Sequence, residues 1–190
     1  MSDEREIILE AARKRFHDTG IDGVSLEEIA AETKLDIDFV HLHFPEKLAL
    51  VFIILQEELI KVAEKTMATL PESQIDAQLK HQLEHRFTFF VDHQSSAAQV
   101  MREVFFSNEG WRETYDNMLW RFSIGVVALL QAAKRRGEIR QDVDETVAAR
   151  AYVSYYLTGM MMICRGEVKT AEAICDFTFP LVDALVTSLK

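Results

Sequence analysis

Apolar residues recur at spacings of three and four along almost the whole chain, which is the period of a helix with one buried face. The first such stretch places Ile8, Ala12 and Phe16 on one side, and the stretch from about Glu109 to Arg136 repeats the pattern over its whole length. Only 7 Gly and 3 Pro occur among the 190 residues, which favours helices over a turn-rich β fold. We therefore predict an all-α protein of about nine helices.

The interruptions of this pattern predict two regions. Three short helices precede Pro45: one ends near Gly20, Ser25 begins the second with Glu28 in a capping box, and Asp36 caps the third. Six helices are predicted after it, at about 46–70, 74–93, 97–106, 109–136, 144–165 and 170–189, with a turn at 93–96 and Pro180 expected to kink the last or shift its start. The predicted domains are a three-helix head, residues 1–45, and a larger helical body, residues 46–190.

Charge and composition narrow the function classes. The formal net charge is −10, and residues 1–50 carry six Lys or Arg against twelve Asp or Glu, which counts against strong nonspecific binding to nucleic acid. Cys164 and Cys175 are too few for a disulfide framework. The N-terminus is charged and no apolar run reaches about 18 residues, so neither a signal peptide nor a membrane span is expected. We expect a cytoplasmic protein without membrane contact. No cofactor or phosphate-binding motif occurs, and no cofactor is expected.

The segment from Ile8 to Leu50 resembles the tetracycline-repressor (TetR) family of transcriptional regulators. That family reads I-L-x-A-A-x-x-x-F-x-x-x-G, then S/T-hydrophobic-x-x-I-A, then a short turn and a helix that ends H/Y-F-x-x-K. The matching positions are Ile8, Leu9, Ala11, Ala12, Phe16, Gly20, Ser25, Leu26, Ile29, Ala30, His43, Phe44 and Lys47. Many matches at fixed spacing make this a specific signal.

The resemblance implies a helix-turn-helix DNA-binding head and a body that binds a small-molecule effector. It also implies a homodimer that pairs through the last two helices and sets two recognition helices one turn of double-stranded operator DNA apart, about 34–36 Å. On this basis we predict a ligand-responsive transcriptional regulator, a repressor that binds a palindromic operator. The residues expected at the DNA are Ser25, Lys34, Asp36, Ile37, Asp38, Phe39, His41, Leu42, His43 and Lys47.

The third helix departs most from the family pattern. The usual turn glycine is Lys34, which strains the backbone if its φ is positive, and the helix opens with Asp36 and Asp38. One hypothesis is an unusual operator, since a carboxylate accepts from the cytosine amino group and Ile37 or Phe39 can pack on a thymine methyl. The alternative is a TetR-fold protein that has lost DNA affinity. A carboxylate about 6 Å from a phosphate costs roughly 0.7 kcal/mol in water, less than the roughly 1–3 kcal/mol of one good base contact, so the acidic tip alone does not abolish binding.

The body carries bulky aromatic and methionine side chains that either fill the core or line a pocket for an apolar or aromatic effector. For any one of them core packing is the simpler explanation, whereas the family resemblance favours a pocket for the set. The candidates are Phe87, Phe90, Met101, Phe105, Tyr115, Met118, Phe122, Tyr152, Tyr156 and Met160.

The stretch "HQLEH", from His81 to His85, fits H-x-x-E-H, a zinc-protease pattern in which two imidazoles bind the metal and Glu84 acts as the base. Such a site also needs a third ligand, which no motif supplies. The simpler interpretation is an exposed polar helix face, so we do not expect an enzyme, and a zinc hydrolase remains a remote alternative.

Overall fold

The computed structural model describes residues 2–20, 23–106 and 108–190, and within them it contains nine α-helices and no β-strand. The predicted all-α class is confirmed. The chain divides into two compact units, Met1–Ile60 and Lys61–Lys190. No described helix is long and apolar enough to cross a membrane. The helices are α1 (Ser2–Thr19), α2 (Leu26–Thr33), α3 (Ile37–His43), α4 (Lys47–Ala68), α5 (Ile75–Asp92), α6 (Gln94–Phe106), α7 (Glu109–Arg136), α8 (Glu145–Cys164) and α9 (Ala171–Leu189).

The core of the first unit draws on all four of its helices. Arg13 of α1 also donates a hydrogen bond to Glu57 of α4, with 2.6 Å between Nη2 and Oε2. Because the start of α4 belongs to this core, the unit runs to Ile60, beyond Pro45, where the sequence pattern breaks. The residues without solvent exposure are Ile8, Leu9, Ala12, Ile29, Val40 and Leu50.

Side-chain caps begin α2 and α3, as predicted. Ser25 Oγ accepts a hydrogen bond from the Glu28 N–H at 3.2 Å, and Glu28 Oε2 accepts one from the Ser25 N–H at 2.9 Å. Asp36 Oδ1 accepts one from the Asp38 N–H at 2.8 Å. Each cap satisfies a backbone donor that the first helical turn leaves open, so both helices start at defined residues.

The turn between α2 and α3 contains the one described non-glycine residue with a positive φ, Lys34, at φ 60° and ψ 26°. This is the left-handed region, in which the Cβ of an L-residue crowds the following carbonyl oxygen. The turn is closed by the Leu35 N–H, which donates to the Ala30 carbonyl at 3.1 Å. The strain expected of a lysine in the place of the usual glycine is therefore present.

Replacing Lys34 with glycine is expected to stabilise the first unit by about 0.5–1 kcal/mol. The substitution relieves a strain of about 1–2 kcal/mol, and the greater freedom of glycine in the unfolded chain offsets part of the gain. Both tryptophans, Trp111 and Trp120, lie in the second unit, so amide hydrogen exchange of the peptide covering α2 and α3 is the suitable measurement. Lys34→Ala removes the same charge and keeps the strain. Equal protection in the two variants would show that the backbone at this position is relaxed.

In the second unit α5 and α8 are the central helices, and each contacts the other as well as α6, α7 and α9. The Tyr152 hydroxyl of α8 donates to the Leu79 carbonyl of α5 at 2.7 Å, within the core. Gly159 of α8 lies against the buried ring of Phe87, so closely that a Cβ on the glycine would be 2.5 Å from Phe87 Cζ. A glycine at this point therefore lets the aromatic ring of α5 reach the backbone of α8.

One sequence expectation about a helix end was wrong, and one of two alternatives for another is excluded. The turn predicted at 93–96 is wrong, because α6 already begins at Gln94, whose side-chain amide donates to the Ile163 carbonyl at 2.5 Å and the Val168 carbonyl at 3.3 Å. Pro180 does not shift the start of α9, which begins at Ala171 behind the Thr170 cap and contains the proline in its interior.

Candidate functional site

The helix α3 turns one side into the first unit and leaves the other in solvent. Val40 is fully buried, whereas Asp38 and His41 are exposed and Leu42 is 77% exposed. Ile37 and Phe39 are half-buried. Of the side chains predicted to face base edges, Asp38 and His41 are thus on an open surface, and the exposed Leu42 beside them is an apolar contact available to a partner.

Two contacts orient aromatic side chains on this surface. His41 Nδ1 lies 3.3 Å from the Pro45 carbonyl oxygen, which can only accept, so Nδ1 carries the proton. His41 Nε2 makes no hydrogen bond with the described residues. The ring of Phe39 packs edge-on against that of His43, with 4.8 Å between the centroids. Both side chains are therefore held in place before any partner arrives.

The residues predicted to hold phosphates have neighbours within the unit. Lys47 Nζ donates to the Val24 carbonyl at 3.0 Å. The Glu27 backbone N–H and the Ser25 hydroxyl lower the pKa of the Glu27 carboxyl, so the hydroxyl faces a carboxylate that a phosphate would have to displace. Lys34 is exposed and forms no ion pair with the described residues. Gly23–Glu28, His41 and Lys47 line an open depression of about 670 Å³ beside the start of α2.

Three basic side chains of α1 pair with carboxylates, whereas Arg5 lies over the Phe44 ring, 5.3 Å from its centroid. Arg13 pairs with Glu6 at 2.8 Å and with Glu10 at 3.0 Å, in addition to Glu57, while Lys14 and Arg15 both pair with Glu32. The Arg15 guanidinium, followed by the Lys14 ammonium, lowers the pKa of the Glu32 carboxyl. These cations support the fold of the first unit and add little positive potential to its surface.

In the second unit, Tyr156 is the centre of an aromatic cluster. Its ring lies 5.1 Å from that of Phe122, 6.1 Å from Phe90 and 6.3 Å from Phe87, between centroids, and Phe122 in turn lies 5.9 Å from Tyr152. All five side chains are buried. Residues from α5, α7 and α8 thus meet at one point, as expected for either a core or a ligand site.

The remaining pocket candidates lie around this cluster or away from it. The Tyr115 hydroxyl donates to Met160 Sδ at 3.1 Å, and the Tyr115 ring lies 5.9 Å from that of Phe105, which is 39% exposed. Met101 is buried in α6 and Met118 is half-buried in α7, and no aromatic contact joins either to the others. The Tyr115 and Tyr156 side chains also interact, so eight of the ten candidates form one connected group.

Arg86 belongs to the same group and was missed from the sequence. Its guanidinium carbon lies 3.9 Å from the centroid of the Phe122 ring and 5.7 Å from that of Tyr156. The signal that could have revealed it is its position, seven residues after Leu79 and four before Phe90, on the apolar face of α5. An apolar residue is expected on this face of an amphipathic helix, so a cation there is an exception to the pattern.

The "HQLEH" motif supplies two imidazoles but not a zinc site. The rings of His81 and His85 lie 4.3 Å apart, and His81 Nε2 lies 3.1 Å from Thr69 Oγ1. Among the described residues no group of three or more His, Cys, Asp or Glu side chains is placed to hold a metal ion. A catalytic zinc needs three protein ligands, so the donors in this part of the chain do not fit one.

Residues 8–53 match the sequence model of the family described as "Bacterial regulatory proteins, tetR family". Over this segment the chain is similar in sequence to regulators of the TetR family. The matched segment contains α2, α3 and the start of α4, together with most of α1. No curated protein matches the chain in sequence.

Solved structures share the TetR-like fold over both units. The fatty acid degradation regulator FadR of Bacillus halodurans is 19% identical, with a TM-score of 0.68 and coverage of 98% of this chain and 96% of that one. Thermus thermophilus FadR, a TetR-family repressor solved with lauroyl-CoA, is 18% identical, with a TM-score of 0.68 and coverage of 94% and 92%. A protein of Saccharomonospora viridis solved with choline is 19% identical, with a TM-score of 0.69 and coverage of 96% and 97%. At these identities the likeness establishes the fold alone.

Proposed function

We propose that the protein is a TetR-type repressor that binds palindromic operator DNA as a homodimer and is released by a small, largely apolar effector. The observation that carries this proposal is the open side of α3, where Asp38, His41 and Leu42 are exposed on a helix-turn-helix whose core is complete. The division of labour follows the two units, with DNA binding in the first and effector binding and dimerisation in the second.

In the first unit α3 is the helix expected to enter the major groove. Ile37, Phe39 and Leu42 offer apolar contacts to thymine methyl groups, and His41 Nε2 offers one polar contact to a base edge. Asp36 is occupied as the cap of α3, so its contribution is to the start of the helix. Phosphates would be met by Lys34, by Lys47 and by the first turns of α2 and α3.

Exposed apolar side chains on α8 and α9 support a dimer formed through these helices. Val147 and Met161 of α8 are 58% and 49% exposed and stand fourteen residues apart, a spacing that places them on one side of a helix. Phe177 of α9 is 47% exposed. A second copy covering these side chains would bury apolar area that water otherwise contacts.

The aromatic cluster around Tyr156 supports an effector site in the second unit. It joins residues of α5, α7 and α8, and a molecule that displaces or separates these side chains would act on three helices at once. Relatives of this fold are solved with lauroyl-CoA and with choline, so the fold accommodates both long acyl chains and a small cation. The effector must bind the DNA-free state more tightly than the DNA-bound state, since equal affinities would shift nothing.

The proposal predicts that Phe39→Ala weakens operator binding about 5- to 100-fold, the equivalent of one base contact of roughly 1–3 kcal/mol. Operators would be selected from a random duplex pool and from the DNA upstream of the coding region, and affinity measured by fluorescence anisotropy over a salt series. A linear fall of log K with log salt is expected, together with two chains bound per duplex. Phe106→Ala, which removes an 83% exposed phenylalanine from the second unit, is the matched control. If the selection yields no duplex that the protein binds, or if Phe39→Ala binds DNA as tightly as the control variant, then α3 does not recognise operator DNA as proposed.

A further inference from the structure

Arg86 is a cation beside the aromatic cluster of the second unit, without an anionic partner among the described residues. It is half-buried on α5, and no described carboxylate lies within ion-pair distance of its guanidinium. Its contacts are with the faces of the Phe122 and Tyr156 rings, at 3.9 and 5.7 Å, and with the Tyr156 hydroxyl, which is a neutral hydrogen-bond partner. A stacked ring recovers only part of the hydration free energy that a guanidinium gives up on burial.

The polar groups around Arg86 are neutral at physiological pH. Burial raises the pKa of Tyr115, Tyr152 and Tyr156, and it raises the pKa of Cys164 to about 11. The Tyr152 proton is also donated to the Leu79 carbonyl. No phenolate or thiolate of this cluster therefore supplies the missing negative charge.

We propose that Arg86 binds the carboxylate head of the effector, and that the effector is a monoanionic amphipath whose apolar part packs among the rings around Tyr156. This inference rests on the proposed effector site and names the chemical class of its occupant. A guanidinium holds a carboxylate through two parallel N–H···O bonds. Arg86 has donors left for them, because the ring contacts engage its face and the Tyr156 hydroxyl is one acceptor for five N–H groups. Since the faces of Phe122 and Tyr156 already hold a cation, the same geometry disfavours a quaternary ammonium effector.

Three probes with an eight-carbon chain and different head-group charges test the proposal: octanoate, octanol and octyltrimethylammonium. Titration calorimetry on the full chain is expected to show octanoate binding at least about tenfold more tightly than octanol, as for a hydrogen-bonded ion pair, and octyltrimethylammonium binding most weakly. Arg86→Gln is expected to lose the preference for octanoate and to keep the affinity for octanol. Arg86→Lys, which retains the charge without the fork, should keep a reduced preference.

Arg121→Gln is the matched control, because it makes the same substitution at an exposed arginine next to Phe122 on α7. It should bind octanoate like the original chain. If octanoate does not bind, if octanol binds as tightly, or if Arg86→Gln binds octanoate unchanged, Arg86 is not the anchor. Affinity for operator DNA is measured separately. If octanoate binding depends on Arg86 but the protein binds no operator DNA, the role of Arg86 in effector binding is supported and the proposed function as a DNA-binding regulator is refuted.

Discussion

Replacing Gly159 with alanine is expected to destabilise the second unit by about 1–3 kcal/mol, the typical cost of forcing one extra carbon into a packed core. The added Cβ would lie 2.5 Å from Cζ and 2.6 Å from Cε1 of Phe87, and Ile174 Cγ1 is 3.2 Å away on another side. The ring of Phe87 is fully buried, so it cannot swing into solvent to make room. Urea unfolding followed by the fluorescence of Trp111 and Trp120, which lie on α7 of the same unit, measures the change.

A double-mutant cycle with Phe87→Ala makes this expectation sharper, because the sign of the effect should reverse. Phe87→Ala alone is expected to cost about 3–5 kcal/mol through the cavity it leaves. In that background Gly159→Ala should stabilise the unit by up to about 1 kcal/mol, since alanine is the better helix former once the ring is gone.

Gly125→Ala provides the control for the cycle. Gly125 lies within α7, and a Cβ at this position would meet nothing within 4 Å. Gly125→Ala should therefore stabilise the unit by up to about 1 kcal/mol, both with Phe87 present and in the Phe87→Ala variant. A Gly159→Ala variant as stable as Gly125→Ala would mean that Phe87 does not occupy the place beside α8.

Removing the two carboxylates at the tip of α3 is expected to raise operator affinity about tenfold for each head. Asp36→Asn combined with Asp38→Asn removes two charges, each worth roughly 0.7 kcal/mol at about 6 Å from a phosphate, and 1.4 kcal/mol is a factor of ten. On a palindrome bound by two heads the gain approaches about a hundredfold. Asparagine at position 36 also retains an acceptor for the Asp38 N–H, so α3 keeps its cap.

Anisotropy titration of the selected operator measures this gain, and the slope of log K against log salt should stay constant because no phosphate contact is made or lost. Glu113→Gln combined with Asp116→Asn removes the same charge from exposed positions of α7 and is the control for net charge. A fall in affinity for the α3 variant would show that Asp38 accepts a hydrogen bond from a base, as a cytosine amino group would offer.

The helices of the first unit could be predicted from local signals in the sequence. The caps at Ser25 and Asp36 depend on atoms within three residues, so their spacing alone predicts them. The left-handed turn at Lys34 was anticipated from the family pattern, since members of the TetR family usually carry a glycine at that position. What the pattern did not reveal is that α4 completes the same core, because a break at a proline marks a helix end and not a unit boundary.

Long-range contacts explain what the sequence did not show in the second unit. The polar residues at 93–96 look like a turn, yet the Gln94 amide bonds to carbonyls about seventy residues away and the segment is helical. The aromatic and methionine candidates were identified by residue type, whereas their arrangement around Tyr156 depends on which helices meet. Arg86 was missed because the pocket candidates were chosen as aromatic and methionine side chains, and a charged residue does not meet that criterion.

The pairing of Arg13, Lys14 and Arg15 with carboxylates has a consequence for how such a repressor would search a genome. Random DNA attracts proteins through phosphates alone, and a head with few uncommitted cations dwells on it only briefly. Fewer copies would then be sequestered at noncognate positions, so a small number of molecules per cell would suffice to keep one operator occupied.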